Sequence, residues 1–464
     1  MKKIKLASVT FTIILIAFHA HAGELSSGLL EKLHNAHYKE QLSVIIRMAD
    51  QADLKAPTQR IIGRNKALRS MNVIRALKTT ATGRQKNLIS FLEKEKSRGN
   101  VVHYTSFWIF NGLSLKATPE VIEKIGSRKD VNIVTEDFLI PPPFFYTSTP
   151  LQPDSSYTWN IEKIRAPDVW DMGYTGSGTV VGIFDTGVDV THPDLANAYR
   201  GGDNSWFDPH EEHNVPVDAA GSFTGHGTHV AGIILGGNAS GKYIGVAPGA
   251  RWIAARIWND EGEEAPSSDI HKIFQWFIDP DGNPETDDAP DVVNGSWGFK
   301  LFDTFPWCLP DFQDDIKAWK EAGIIPVFSA GNSGPWFFTG ESPGNYPETI
   351  SVGATDSLDS IAFFSSRGPG NCDLNTFPDI SAPGVAILSS TPGEGYKYGS
   401  GTSAAVPHVV GTIALILGAD LTISIGEIET TLKTTATALD LFSPNFTYGW
   451  GRVDAFEAVS AVTP

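Results

Sequence analysis

Three short stretches of this sequence hold residue types that together can break an acyl bond. Gly182-Ile183-Phe184-Asp185-Thr186-Gly187 is an apolar run that ends in a carboxylate and a glycine turn. Gly225-His226-Gly227-Thr228-His229-Val230-Ala231-Gly232 opens an apolar helix with an imidazole at its start. Gly401-Thr402-Ser403-Ala404-Ala405-Val406-Pro407-His408 sets a hydroxyl just ahead of the apolar run Val409 to Leu417. Peptide hydrolysis needs a nucleophile, a base to take its proton and a carboxylate to orient that base, and Ser403, His226 and Asp185 are of those three kinds. Ser403 would stand at the positive end of a helix, where a backbone N–H can stabilise developing negative charge.

Each stretch alone also has a plain structural reading. An Asp in a strand-to-helix turn often caps, and a Ser before a helix is usually an N-cap. The two His could ligate a metal, but a spacing of three lacks the intervening Glu and the i,i+4 geometry of a helical zinc site. His229 therefore reads as a packed structural residue. The combination of the three stretches is far more specific than any one of them.

The surrounding elements suit such a site. From Trp159 onward, apolar runs at Thr179 to Phe184, Arg251 to Ile257, around Val292-Val293 and at Ile324 to Phe328 alternate with helical stretches such as Asp269 to Ile278 and Asp311 to Ala322. That alternation predicts an α/β unit, a parallel sheet covered by helices on both faces, with its site at the carboxyl ends of the strands. Pro407 is expected within a first helical turn, where proline is tolerated. Residues 23 to about 139 read instead as a small α+β unit: strand candidates at Leu42 to Met48, Val101 to Leu115 and Val131 to Val134, a long helical stretch around Ile61 to Lys96 and a short helix from Pro119. Between the two units, Ile140 to Asp154 contains five prolines and is expected to resist regular structure.

Composition sets further bounds. At 464 residues and 41% hydrophobic content, the chain can fill at least two cores. Residues 1–22 have a basic start, an apolar stretch from Phe11 to Phe18 and the small-x-small site Ala20-His21-Ala22, the pattern of an export signal. That run is too short for the about 20 residues that cross a bilayer, and no later stretch is expected to serve, so an exported protein without a membrane anchor is predicted. Residues 1–146 carry 22 Lys+Arg against 12 Asp+Glu, a net of +10, whereas the rest carries 14 against 41, a net of −27. A basic first part and an acidic second part suggest two bodies that attract one another, and the acidic part argues against nucleic acid as a partner. Cys308 and Cys372 could form one bridge or remain free and buried, and without a neighbouring His cluster they make no zinc site.

The order Asp…His…Ser, with these flanking residues, resembles the subtilisin-like serine proteases, and within them the bacillopeptidase F type. The likeness runs almost unbroken from about Trp159 to Val462. It includes Asp291-Val292-Val293-Asn294-Gly295-Ser296-Trp297-Gly298, Ser329-Ala330-Gly331-Asn332 and Asp379-Ile380-Ser381-Ala382-Pro383-Gly384. The resemblance implies a serine endopeptidase acting on protein or peptide substrates through an acyl-enzyme. Its triad would be Asp185, His226 and Ser403, and Asn332 would be the side-chain donor to the oxyanion. Ser296, Trp297 and Gly298 would pair with extended substrate, Glu261 and Gly262 with Glu263 would flank its other side, and Glu341 would stand at the first specificity pocket.

The resemblance also implies that residues 23–146 are a propeptide acting as intramolecular inhibitor, ahead of a catalytic domain at 147–464. A monomer is expected, with no cofactor required for catalysis. Two departures bear on details. Ala404 stands where the family commonly has Met, and in the loop Gly237 to Tyr243, beside Asp194, the expected Asn ligand of the family's calcium falls on Ala239. Structural calcium is thus left open. The loop Asp279-Pro280-Asp281-Gly282-Asn283-Pro284-Glu285 offers oxygen ligands of the kind calcium prefers, although a solvated acidic loop is the simpler reading.

Overall fold

In this computed structural model residues 23–59, 61, 65–143, 146–147, 155–300 and 308–463 are described. Residues 1–22, where an export signal is expected, and Phe144, Phe145 and Leu151 of the linker lie outside them. The N-terminal unit is a five-stranded sheet in the order β1-β5-β2-β4-β3. Its strands are β1 (Glu24–Leu25), β2 (Leu42–Met48), β3 (Val101–Phe107), β4 (Gly112–Ala117) and β5 (Val131–Glu136). The Lys66–Lys96 helix packs on it, with Leu88 and Leu92 joining Val44, Ile46, Leu113 and Leu115 in a core of the unit's own.

Two short strands follow, β6 (Leu139–Ile140) and β7 (Tyr146–Thr147). They correct the expectation of an unstructured linker, and the reason is tertiary. β6 pairs antiparallel with β11 (Ala265–Pro266), and β7 pairs antiparallel with β17 (Gly395–Ser400), itself hairpinned to β16 (Ile387–Thr391). Local proline content forbids a helix there but still permits pairing at an edge.

The larger unit carries a seven-stranded sheet, ordered β15-β14-β13-β12-β8-β10-β9, with every pairing parallel. The members are β8 (Val180–Asp185), β9 (Trp206–Phe207), β10 (Arg251–Arg256), β12 (Val292–Gly295), β13 (Ile325–Ser329), β14 (Ile350–Thr355) and β15 (Ile380–Pro383). Side chains alternate between two covered faces. Val181 and Ile183 pack with the His226–Leu235 and Thr402–Ala419 helices, whereas Phe184 turns to the Ser267–Ile278 and Gln313–Ala322 helices. The second face also receives Ile45, Val73, Ile74, Leu77, Phe107, Ile109 and Phe110 of the N-terminal unit, so one apolar cluster joins both units.

The Thr402–Ala419 helix is, among the described residues, long and apolar enough to cross a membrane, contrary to the expectation that no later stretch would be. Its apolarity has a different cause: the helix is 89% buried at the centre of the fold. Pro407 also stands one turn further in than expected, as the sixth residue of this helix. Cys308 and Cys372 form a disulfide, which closes the choice the sequence left open.

Candidate active site

β8 is the strand at which the sheet order reverses, with β10 on one side and β12 on the other. A crevice opens at the carboxyl end of such a strand, and Asp185 ends β8 there, fully buried. His226 is the first residue of its helix, and its Nδ1 lies 2.7 Å from Asp185 Oδ1. The same oxygen accepts the Thr186 N–H at 2.7 Å. An ionised carboxylate only accepts, so the imidazole carries its proton on Nδ1 and keeps Nε2 as the basic atom. Glycine is required at 227, because a Cβ there would stand 2.1 Å from the Gly187 carbonyl oxygen. Only that close approach brings the imidazole down onto the end of β8.

Asp218 holds this junction, and no local pattern around it points to that role. Its carboxylate accepts from the Thr186 hydroxyl at 2.8 Å, Gly225 N–H at 2.9 Å and Thr228 N–H at 2.8 Å, while Thr186 Oγ1 accepts the Gly227 N–H at 2.9 Å. The carboxylate thus caps the His226 helix from the loop that leads into it. Burial pushes the Asp218 carboxyl above its ordinary range, and these hydrogen bonds oppose the shift. His229, one turn on, faces the carbonyls of Ile387 and Lys397 at 3.1 and 3.2 Å. Burial pushes its pKa down to about 3, so it is a neutral packed residue, as expected.

Ser403 lies in the first turn of the helix that packs against the His226 helix. Its Oγ is buried and makes no hydrogen bond to the described residues. Pro407 lacks the N–H that would bond the carbonyl of Ser403 four residues back. That carbonyl instead accepts from Ser296 Oγ at 2.8 Å, and Ser296 is in turn held by Asn294 Nδ2 at 2.8 Å. The proline and the two polar residues together tie the serine's turn to the end of β12.

Asn332 follows β13 after the positive-φ turn at Gly331, whose φ is 106°. Its Oδ1 accepts from both the N–H and the hydroxyl of Thr402, each at 2.9 Å. Those two bonds fix the amide so that Nδ2 faces the serine. A Cβ on Gly401 would lie 2.7 Å from Ser403 Oγ and 3.6 Å from Asn332 Nδ2, so glycine keeps open the space that both atoms border. A carbonyl oxygen placed there would meet the amide and the N–H groups at the start of the helix.

A cleft of about 340 Å³ adjoins this space, lined by Ser296, Trp297, Gly298, Asn332, Glu341 and Ser403 among others. Pro141, Pro142 and Pro143 of the chain's own linker also line it. Trp297 turns its ring into an aromatic cluster with Phe184, Phe312 and Phe328, so it offers the cleft its backbone more than its indole. Glu341 is half-buried behind Gly331 and Gly298, accepts from Ser333 Oγ at 2.5 Å and lies 4.0 Å from Lys300 Nζ. Burial raises its pKa, against the opposing Ser333 bond and Lys300 charge. Glu261 and Gly262 do not line the cleft: they form a turn against Ala220 and Gly221, and the residues that pair with the linker are Ala265 and Pro266, a few positions on.

At the loop where the resemblance implies calcium, Ala239 brings no side-chain oxygen and Asp194 is engaged by protein donors. Asp194 Oδ1 accepts the Ala239 N–H at 2.8 Å and Oδ2 the Tyr396 hydroxyl at 2.7 Å, so both carboxylate oxygens already have donors.

Comparison with known proteins agrees with the geometry. Residues 176–451 match the peptidase S8 family, described as the subtilase family. Bacillopeptidase F of Bacillus subtilis (strain 168) is 38% identical over 421 residues, covering 84% of this chain and 28% of that protein. Subtilisin of Bacillus pumilus is 36% identical over 301 residues, or 64% of this chain and 97% of that protein. Subtilisin E of Bacillus subtilis is likewise 36% identical over 301 residues, with 70% of that protein covered. The chain belongs to the subtilase family of serine endopeptidases, whose members need no cofactor for catalysis.

Proposed function

We propose that this chain is an exported endopeptidase made as a self-cleaving precursor. In this reading Ser403 attacks the peptide carbonyl, His226 Nε2 takes its proton and later delivers it to the leaving amine, and Asp185 holds the imidazole in the required tautomer. Asn332 Nδ2 and the Ser403 N–H receive the oxyanion. The observation that carries the proposal is the chain's own linker: Pro141–Pro143 line the cleft that Ser403 borders, and Tyr146–Thr147 pair with Gly399–Ser400, just ahead of Ser403 in the chain. A peptide held in this way is presented as an added strand, the mode expected for substrate. It supports self-cleavage within this part of the linker, with the residues from 23 up to the cut as inhibitor. Ser296 to Gly298 would then serve one side of an extended substrate. Glu261 and Gly262 would act on the other side through the segment that leads to Ala265.

The charge division supports the inhibitor role. Arg47 pairs with Asp314, Lys66 with Asp287 and Asp291, Arg75 with Glu285 and Lys78 with Asp279, every cation coming from the N-terminal unit. Such pairs favour association and partner choice more than raw affinity.

Specificity follows from the pocket and the linker. No basic residue lies between Lys129 and Lys163, and Phe144, Phe145, Tyr146 and Leu151 are the large side chains at hand for a first cut. Glu341 already has Lys300 as a counter-charge, so it adds only a modest pull on basic side chains. Digestion of a diverse peptide library tests this reading. Cleavage should follow aromatic and large apolar residues, with a smaller Lys and Arg fraction that grows as pH rises through the raised Glu341 pKa. Glu341→Gln should remove that fraction and leave cleavage after Phe unchanged. An undigested library contradicts the function, and cleavage confined to Lys and Arg contradicts the specificity.

A further inference from the structure

The loop between the Ser267–Ile278 helix and β12 contains a polar cluster that the catalytic reading does not use. Carboxylate oxygens of Asp279, Asp281 and Asp288 lie within 4.8 Å of one another. Asp279 begins the loop and is buried, its side chain only 1% exposed. Its Oδ1 has no hydrogen-bond partner among the described residues. A carboxylate so enclosed is costly unless a cation lies against it. One does: Lys78 Nζ reaches across from the N-terminal unit to Asp279 Oδ2 at 2.5 Å and to the Gly282 carbonyl at 3.2 Å.

The other groups around the cluster leave that ammonium as its chief counter-charge. Asp288 Oδ2 accepts from Asn204 Nδ2 at 2.7 Å and from the Asp281 N–H at 2.9 Å. Asp281 accepts the Asn283 N–H at 2.8 Å and the Thr286 hydroxyl at 2.9 Å. Arg200 donates to the Asp288 carbonyl, and Arg75 is engaged by Glu285. Lys66 binds further along, at Asp287 and Asp291.

We propose that Asp279, Asp281 and Asp288, with the Gly282 carbonyl, form a calcium site that Lys78 occupies with its ammonium in the unprocessed chain. Three carboxylates and a carbonyl on a loop, completed by water, make the hard oxygen set that Ca²⁺ takes in sixes to eights. The lysine touches two of those four ligands, so ion and lysine exclude one another. Departure of the N-terminal unit would take Lys78 away from Asp279 Oδ2 and the Gly282 carbonyl, and calcium would replace it. This last step rests on the proposed processing, whereas the site and its competition with Lys78 do not.

The test is made in the full chain bearing Ser403→Ala, so that no processing intervenes. Tb³⁺ is a suitable probe because Lys78 Nζ lies 4.9 Å from the centre of the Trp108 ring, close enough for sensitised emission. Lys78→Met should create a Tb³⁺ site at least tenfold tighter than any seen with Lys78 present. Ca²⁺ should displace the probe and KCl at matched ionic strength should not. Adding Asp279→Asn should abolish the new site. Lys78→Gln and Asp281→Asn repeat the comparison should either first variant fold poorly. Identical titrations with and without Lys78, or a new site that survives loss of Asp279 and Asp281, would overturn the proposal.

Discussion

Replacing Ser403 with Ala should leave a folded chain that never shortens, with turnover lower by about six orders of magnitude, a loss known for the nucleophile of a subtilisin. The fold should not suffer. Ser403 Oγ is buried without a hydrogen bond among the described residues, so its removal deletes a polar atom whose burial costs about 1–3 kcal/mol. Intact-mass measurement separates the outcomes: the unsubstituted chain should yield a product beginning at Phe145 or Tyr146, and the Ser403→Ala chain none. Cleavage of the variant in a host free of other proteases would show that the linker in the cleft is not its own first substrate.

Asn332→Ala should lower kcat by roughly 10²–10³ and leave KM nearly unchanged, a magnitude that comes from the same donor in a subtilisin. The asymmetry follows from where the bond is made. Thr402 holds Oδ1 with two hydrogen bonds, which aims Nδ2 at the position of the oxyanion and adds little to ground-state binding. Steady-state kinetics on one peptide decide it. A raised KM at constant kcat would assign Asn332 to substrate binding instead. Thr402→Val should reproduce part of the kcat loss, since Oδ1 would keep only the backbone N–H.

The parallel sheet and the three elements that carry Asp185, His226 and Ser403 were legible because each is a local pattern: an apolar run, a glycine, then a functional side chain. What was not legible depends on partners distant in sequence. β6 forms on a proline-rich segment because Ala265–Pro266 offers it an edge, and nothing near Leu139 announces that. Asp218 caps a helix from eight residues upstream of it through a loop whose composition is unremarkable. The place of Pro407 became clear only with its consequence, the Ser403 carbonyl passed to Ser296. Charge showed that two unlike bodies were joined, but only the fold shows the register in which Lys66, Arg75 and Lys78 of one helix meet the acidic loop. Glu261 and Gly262 stand a few residues ahead of Ala265–Pro266, the pair that takes β6, and a local motif does not give that offset.

The central claim is that Asp185 and His226 make Ser403 a nucleophile. Reaction of the purified, processed chain with a fluorophosphonate, followed by peptide mass mapping, tests it directly. A single adduct is expected, on Ser403, and it should disappear when the protein is unfolded before exposure to the reagent. An unlabelled Ser403, or an adduct on another residue with activity lost in step, would contradict it.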